Sequence, residues 1–157
     1  MVETDGERGV DPGVQIGWMV GRVANALVLG TMTAVAEVSL APRLPWPAPL
    51  LAALVFTLVL ALGLLHARRL FLGWRWALRT DDVVGRFGVV FHVTRSIPRV
   101  RVQHVDVVSG PVDRALGLVE VSLHVAGSAG PVLTIPGLRP DEAEDLRVAL
   151  LASAKAP

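Results

Sequence analysis

The hydrophobic pattern divides the chain into an apolar part and a charge-rich part. Residues 17–72 carry five formal charges, whereas residues 73–157 carry ten Lys or Arg and nine Asp or Glu residues. The first part contains long apolar runs, and the second alternates apolar and polar positions with a period of two. Because that period is typical of half-buried strands, the pattern predicts membrane-embedded helices followed by a small sheet.

The most apolar run is residues 50–65, LLAALVFTLVLALGLL, in which Thr57 is the one polar residue. Sixteen helical residues extend about 24 Å, and the flanking residues bring the helix close to the roughly 30 Å of a bilayer's hydrocarbon core. A buried core helix is the alternative, but the chain has few other apolar helices to pack against it. We therefore predict a transmembrane helix over about 48–67.

An earlier segment, residues 16–41, is apolar but is interrupted by Arg22, Asn25 and Glu37. Arg22 and Glu37 are fifteen residues apart, about 22 Å along a helix, so both can extend outward near opposite membrane interfaces. A functional charge within the membrane is the alternative. We expect the interfacial arrangement, in a helix over about 17–40. The first sixteen residues, with four acids and one arginine, do not fit a signal peptide.

Small residues recur every four positions in this first predicted helix, at Ala26, Gly30 and Ala34. Such a stripe allows a second helix to approach closely, and the second predicted span is the expected partner. A chain rich in small residues could also show the stripe without a packing role. Between the spans, the proline-rich residues 42–47, PRLPWP, are typical of a tight turn.

Arginines predict the orientation in the membrane. Four arginines and no acid follow the second span, whereas the connector carries Arg43 alone. Because positive segments remain in the cytoplasm, we predict a multi-pass protein of the bacterial cell membrane with both termini cytoplasmic. We accordingly divide the chain into a cytoplasmic N-terminal tail (1–15), a two-helix transmembrane hairpin (16–72) and a cytoplasmic domain (73–157).

The second half predicts five or six short antiparallel strands and a final helix. In residues 119–125, for example, apolar side chains face one side and polar side chains the other. From Pro140 the period becomes that of an amphipathic helix, with acids in its first turn and an apolar stripe. Turn signals separate the strands at residues 80–82, 110–111 and 127–131.

Residues 97–118, IPRVRVQHVDVVSGPVDRALGL, combine a predicted strand with turns. Pro98 lacks an N–H donor, so it can begin a strand or lie at an edge, and Gly110 and Gly117 permit backbone conformations that other residues avoid. Arg114, between the glycines, is either a structural clasp or a ligand anchor, and we favour the clasp. The apolar face of the strand would be Val100, Val102, Val105 and Val107.

Together with RTDD, GRFGVVF and IPGLRPDEAEDLR elsewhere in the second half, this run resembles the bacterial pleckstrin-homology-like membrane proteins of the YdbS type. The resemblance covers the whole chain. It implies a membrane α-hairpin of two transmembrane helices followed by an α+β domain, a pleckstrin-homology-like antiparallel split barrel with a C-terminal helix. Trp76 departs from the more usual tyrosine, and His92 from an expected arginine. The matching positions are Ile97, Pro98, Arg101, Gln103, His104, Val105, Gly110, Pro111, Arg114, Gly117 and Leu118.

Composition limits the chemistry of the chain. The absence of cysteine excludes disulfides and thiolate metal sites, and a net charge of +1 gives no reason to expect nucleic acid. His92, His104 and His124, predicted on separate strands, lack the spacing of a zinc site. No arrangement of nucleophile and base and no phosphate-binding loop stands out. We expect neither catalysis nor a metal or cofactor.

Two functions remain. The first is a membrane-anchored interaction or scaffold module that binds a partner protein, a sister protein or another copy at a sheet edge or at the open end of the barrel. The alternative is recognition of anionic lipid headgroups by arginines. We favour the first, because a pleckstrin-homology-like fold does not by itself imply lipid binding. Candidate contact residues for either function are Arg68, Arg69, Arg75, Arg79, Arg95, Arg99 and Arg101.

Overall fold

The computed structural model describes residues 6–40 and 49–154, so the predicted turn over 42–47 lies outside the described residues. Backbone contacts separate a helical unit, residues 15–69, from a sheet unit that joins the described residues up to Val14 with those from Leu70 onward. The elements are α1 (Pro12–Leu40), α2 (Leu50–Gly73), β1 (Arg75–Leu78), β2 (Asp82–Phe87), β3 (Val93–Pro98), a 3₁₀ turn (Arg99–Arg101), β4 (Val102–Val108), α3 (Pro111–Ala115), β5 (Val119–Val125), β6 (Leu133–Leu138) and α4 (Pro140–Ala154).

Helices α1 and α2, with 29 and 24 residues, are both long and apolar enough to cross a membrane. Helix α1 begins before the predicted range because Asp11 caps it: the Asp11 Oδ1 atom accepts a hydrogen bond from the Gly13 N–H at 2.7 Å. Pro12 then occupies the first helical position, where its missing N–H costs nothing. Helix α2 continues beyond the predicted end, as far as Gly73.

The helical unit packs through the predicted stripe of small residues. Ala26 has no exposed surface, and a Cβ atom placed on Gly30 would lie 3.0 Å from the Phe56 Cβ of α2. In the reverse direction, a Cβ atom on Gly63 of α2 would lie 3.1 Å from the Arg22 Cβ of α1. The two helices therefore meet where one of them lacks a side chain, as small-residue interfaces in membranes do. The expectation that α2 is the partner of the stripe is confirmed.

Glu37 does not extend outward, so that expectation was wrong. The residue is only 3% exposed, and its two carboxylate oxygens accept hydrogen bonds from the backbone N–H groups of Leu51 (2.8 Å) and Ala52 (2.9 Å). The N–H groups of a first helical turn have no partner within their own helix, and a negative charge also suits that end of the helix dipole. Glu37 of α1 therefore caps α2.

The sheet unit contains two three-stranded antiparallel sheets, ordered β1-β2-β3 and β4-β5-β6. Their inner faces are apolar, as the period of two predicted. The described strands form a split arrangement and not a closed barrel, as expected of a pleckstrin-homology-like domain with its C-terminal helix α4. Buried core positions include Val83, Leu123, Leu133 and Ile135 from the sheets and Ala143, Leu146 and Leu150 from α4.

The predicted apolar face of residues 100–107 is only partly correct. Residues 99–101 form a 3₁₀ turn between β3 and β4, so Val100 is 73% exposed while Val102 is buried. The pairing of β4 with β5 also shifts between Val102 and His104. The strand predicted to begin near Pro98 is therefore not continuous. It comprises the end of β3, the 3₁₀ turn and the whole of β4.

The N-terminal segment is part of the sheet unit. The Arg8 N–H donates to the Trp76 carbonyl at 2.7 Å, and the Trp76 N–H donates to the Arg8 carbonyl at 2.9 Å, so the segment pairs with β1. Further along, the Asp11 N–H donates to the Gly137 carbonyl of β6 at 3.1 Å. Because β1 and β6 belong to different sheets, the segment joins the two sheets. Ion pairs follow the same path, Glu7 with Arg86 at 2.7 Å and Asp11 with Arg139 at 3.8 Å.

Candidate functional site

The main concave feature of the sheet unit is an open groove of about 640 Å³ beside β3. One wall is β3, which is the last strand of its sheet, and the other wall is the end of the β5–β6 hairpin. The lining is partly apolar and partly polar, as in many binding sites. The lining residues are Thr94, Arg95, Ser96, Ile97, Pro98, Arg101, Val125, Ser128, Gly130, Pro131 and Val132.

Backbone groups of β3 face this groove. The Arg99 N–H donates to the Asp81 carbonyl at 2.9 Å, so residues at odd positions along β3 direct their hydrogen-bonding groups to β2. By the alternation of an antiparallel ladder, the groups of Thr94 and Ser96 then point away from β2. Pro98 has no N–H and ends the set of donors. The groove therefore contains a short strand edge with unused pairing capacity.

Arg95 connects the two walls of the groove. Its guanidinium lies over the Phe87 ring, 5.7 Å from the ring centroid, and one of its N–H groups donates to the Val132 carbonyl of the opposite wall. An arginine has five N–H donors, so this contact leaves donors for a ligand. The stacking and the hydrogen bond hold the guanidinium in a fixed position.

Arg101 provides a second positive charge in the same groove. Its side chain is exposed and forms no ion pair with any residue in the described ranges. Among the described residues, the groove lining contains two arginines and no acidic residue, and the nearby Asp82 carboxylate accepts a hydrogen bond from the Ser96 hydroxyl. The two arginines suit a negatively charged group.

Arg99, which sequence reasoning grouped with Arg95 and Arg101, has its side chain directed into the fold. Its guanidinium donates to the carbonyls of Arg79 (3.4 Å), Thr80 (3.1 Å) and Ala149 (2.6 Å). These contacts tie the β1–β2 turn to α4. The structure thus brings Arg95 and Arg101 together and gives Arg99 a fold-stabilising set of contacts.

The predicted juxtamembrane arginines differ in their environments. In the helical unit, Arg68 and Arg69 are exposed near the end of α2. In the sheet unit, Arg79 is exposed, whereas Arg75 is half-buried and donates to the Trp74 carbonyl at 2.7 Å. Of the four, Arg75 has the fewest free donors.

The sequence motif around Gly110 forms a corner with helix α3. The Asp113 Oδ2 atom accepts a hydrogen bond from the Gly110 N–H at 3.2 Å, and Pro111 begins the helix. The Arg114 guanidinium donates to the Ser109 carbonyl in a long hydrogen bond of 3.5 Å, a backbone contact of the kind expected of a structural clasp. Gly117 has φ +68°, and Gln103 lies exposed at the irregular start of β4. These contacts are internal to the corner.

The structure gives the surroundings of three histidines and of one acidic group in the sheet unit. No three His, Asp or Glu side chains of the described residues cluster as metal ligands would. His104 and His124 face each other across β4 and β5, His124 lies 3.1 Å from Asp106, and His92 lies in the β2–β3 loop and not on a strand. Burial, and then the nearby Asp113, raise the pKa of Glu120 above its usual value.

Sequence reasoning missed half of the groove. The turn over 127–131 was recognised as a hairpin, but nothing local indicated that it lies opposite β3. More than twenty residues separate β3 from the β5–β6 hairpin in the chain, so no local pattern links them. Only a correct prediction of the strand order in the two sheets could have placed them opposite each other. Sequence also gave no indication that Arg8 pairs with Trp76.

Two apolar helices followed by two antiparallel sheets and a closing helix define a membrane protein with a pleckstrin-homology-like domain. The chain belongs to the bacterial PH domain family, whose family model matches residues 24–154. It is also similar to the UPF0699 transmembrane protein YdbS of Bacillus subtilis (strain 168), with 39% identity over 75 residues. The match covers 47% of this chain and 45% of that relative, so the chain spans less than half of the relative's length. No solved structure matches the chain significantly.

These matches confirm the sequence-based resemblance to YdbS-type membrane proteins. They support a membrane-associated module with two candidate spans. Neither the bacterial PH domain family nor the matched membrane protein belongs to a known class of enzymes.

Proposed function

We propose that this protein is a non-enzymatic, membrane-anchored interaction module whose domain lies in the cytoplasm and binds an acidic, extended segment of a partner protein, a sister protein or a second copy of the chain. The supporting observation is the groove beside β3, where a strand edge that has no neighbouring strand among the described residues meets two arginines. Sheet edges bind extended peptides through main-chain hydrogen bonds, and neighbouring side chains select the sequence. Carboxylates of the peptide would complement Arg95 and Arg101.

The length of the edge implies a weak individual contact. A peptide strand can exchange backbone hydrogen bonds with Thr94 and Ser96 but finds no donor at Pro98. Such a short contact has low affinity unless the two partners are held close together. Anchoring of both proteins in the same membrane raises their effective concentration and compensates for the short contact.

The proposed cytoplasmic location of the domain rests on the arginines in the last turns of α2 and directly after it. Arg68, Arg69, Arg75 and Arg79 form a positive segment without acids, and positive segments near span ends remain in the cytoplasm. The partner is therefore either a cytoplasmic protein or the cytoplasmic part of another membrane protein.

A second candidate function is recognition of anionic lipid headgroups. It is favoured by the exposure of Arg68 and Arg69 near the end of α2, since each basic residue close to a negative surface contributes about 1 kcal/mol of attraction. The guanidiniums of Arg95 and Arg101 could also bind a phosphate. We rank this function second because the strand edge of the groove has no role in it.

The test compares two groove variants with a charge-matched control in the full-length protein. Thr94→Pro removes an N–H that faces the groove but no hydrogen bond to β2, and Arg101→Gln removes an arginine with no ion pair among the described residues. Arg147→Gln removes the same charge on α4, away from the groove. Cross-linked complexes are isolated from native membranes, and their proteins and lipids are quantified by mass spectrometry.

We expect the same bound protein to be lost from both groove variants and retained by Arg147→Gln, with unchanged unfolding temperatures. Equal recovery of the bound protein with the unaltered chain and all three variants would refute the groove as the binding surface. Loss of a co-purifying anionic lipid from Arg101→Gln, without loss of any protein, would instead support headgroup recognition.

A further inference from the structure

The loop between β2 and β3, residues 88–92, exposes two neighbouring apolar side chains. Val90 is 80% exposed and Phe91 is 84% exposed, the highest values among the large apolar residues in the described ranges. Isolated exposed apolar residues are common, but a protruding apolar pair indicates a contact surface. Neither residue lines the groove beside β3, so the proposed peptide contact does not account for them.

The backbone gives this loop a defined shape. Gly88 has φ +128°, and a Cβ atom there would lie 1.9 Å from the Phe91 carbonyl oxygen, so the chain turns back on itself where only glycine fits. At the base of the loop the Phe87 ring stacks on Trp74, with centroids 5.4 Å apart and planes at 19°. The loop therefore projects Val90 and Phe91 from a packed base.

The loop also contacts the end of α2. A Cβ atom on Gly73, the last residue of α2, would lie 2.8 Å from the Gly88 carbonyl oxygen, so the two backbones touch. Helix α2 has 24 residues, about 36 Å, which exceeds the roughly 30 Å hydrocarbon core but not the 40–45 Å of a bilayer with its headgroups. A spanning α2 consequently ends within the headgroup layer, and the base of the loop begins at that level.

We propose that the β2–β3 loop is a membrane-contacting element, in which Val90 and Phe91 enter the lipid of the bilayer that α2 crosses. The continuity of the loop with the end of α2 selects lipid as the occupant, because the chain itself keeps lipid within reach of the loop. Residues 83–105 contain no acid and four arginines, of which Arg86 is paired with Glu7 and Arg99 points into the fold, so Arg95 and Arg101 supply the positive charge that suits a negatively charged surface. The loop would then attach the domain to the membrane at a second point, independently of any partner in the groove.

Single cysteines can report the position of the loop because the natural chain contains none. Val90→Cys places an environment-sensitive fluorophore on the loop and retains Phe91. Val148→Cys places the same fluorophore on an exposed position of α4 outside the groove as a matched control. The full-length proteins are reconstituted in vesicles of zwitterionic and anionic phospholipids, and fluorescence is quenched either by spin-labelled lipids or by iodide in the aqueous phase.

We expect the probe at residue 90 to be quenched by spin-labelled lipid and to be several-fold less sensitive to iodide than the probe at residue 148. Adding Phe91→Asp to Val90→Cys should abolish the lipid quenching and leave the unfolding temperature unchanged, since both side chains are exposed. Equal iodide quenching at the two positions would overturn the proposal. Protection from iodide without lipid quenching would also overturn it and would indicate a protein contact. Lipid quenching that survives Phe91→Asp would show proximity without insertion and refute the role of the apolar pair.

Discussion

Two glycines in the left-handed region allow the contribution of the N-terminal segment to be measured. Gly137 has φ +64° and a Cβ atom there would lie 2.7 Å from the Val14 Cβ, whereas Gly117 has φ +68° with nothing within 4 Å of that position. Replacement of either glycine by alanine introduces the same backbone strain, about 1–2 kcal/mol. At Gly137 the new methyl group also collides with a buried contact of the N-terminal segment, which adds about 1–3 kcal/mol of overpacking.

We therefore expect Gly137→Ala to destabilise the sheet unit by about 2–5 kcal/mol and Gly117→Ala by about 1–2 kcal/mol. The assay is the midpoint of thermal unfolding of the full-length protein in detergent, followed by tryptophan fluorescence. A loss of 1 kcal/mol lowers this midpoint by about 4–8 °C in a domain of 60–100 residues. Combining Gly137→Ala with Val14→Gly removes the collision, so the double change should destabilise less than the sum of the single changes. Equal midpoints for the two alanine variants, or strict additivity of the pair, would refute the packing of Val14 against β6.

Two further predictions concern single side chains, and a third concerns the orientation in the membrane. Burial and the nearby Asp113 raise the pKa of Glu120, so its charged form opposes folding at a pH above the folded-state pKa, and this effect disappears as the pH falls below the ordinary value. Glu120→Gln should thus raise the unfolding midpoint at neutral pH and leave it unchanged in acid; the same change at both pH values would contradict this cause. Glu37→Ala leaves the N–H groups of Leu51 and Ala52 without their carboxylate and should cost about 1–2 kcal/mol, more than Glu37→Gln, as measured by protease resistance of the hairpin in detergent. In intact cells, an impermeant thiol reagent should label a cysteine at Ser39 but not one at Ser128, and labelling of Ser128 would reverse the proposed orientation.

The parts of the fold that sequence predicted well depend on local patterns. The apolar run of residues 50–65 and the stripe of small residues around Gly30 are properties of single helices, and α4 follows from a period that begins at Pro140. The alternation in residues 119–125 likewise matches β5. These patterns are visible without knowledge of the packing partner, because a continuous apolar run, a repeat of small residues or a period of two is read from the residues of one element alone.

The features that sequence did not predict depend on contacts between distant residues. Glu37 was expected to extend outward at an interface because a charge is costly in lipid. Its carboxylate instead accepts hydrogen bonds from two N–H groups in the first turn of α2, which have no acceptor within that helix and lie fourteen and fifteen residues later in the chain. Val100 continues an alternating pattern, yet the 3₁₀ turn after Pro98 breaks the strand there. Arg99 and Arg95 are both arginines near β3, and only the tertiary structure shows that one of them serves the fold and the other faces the groove.

The pairing of Arg8 with Trp76 has a consequence for biosynthesis. The segment that contains Arg8 is synthesised before the helices and well before β6. It therefore cannot join the two sheets until β1 and β6 have also been synthesised. It can then pair only if it remains on the same side of the membrane as β1, which requires the intervening chain to cross an even number of times. A copy that inserts with one crossing would present an unpaired β1 edge and an open junction at Gly137, both of which favour aggregation and proteolysis. The N-terminal segment thereby makes correct insertion a condition for a complete domain.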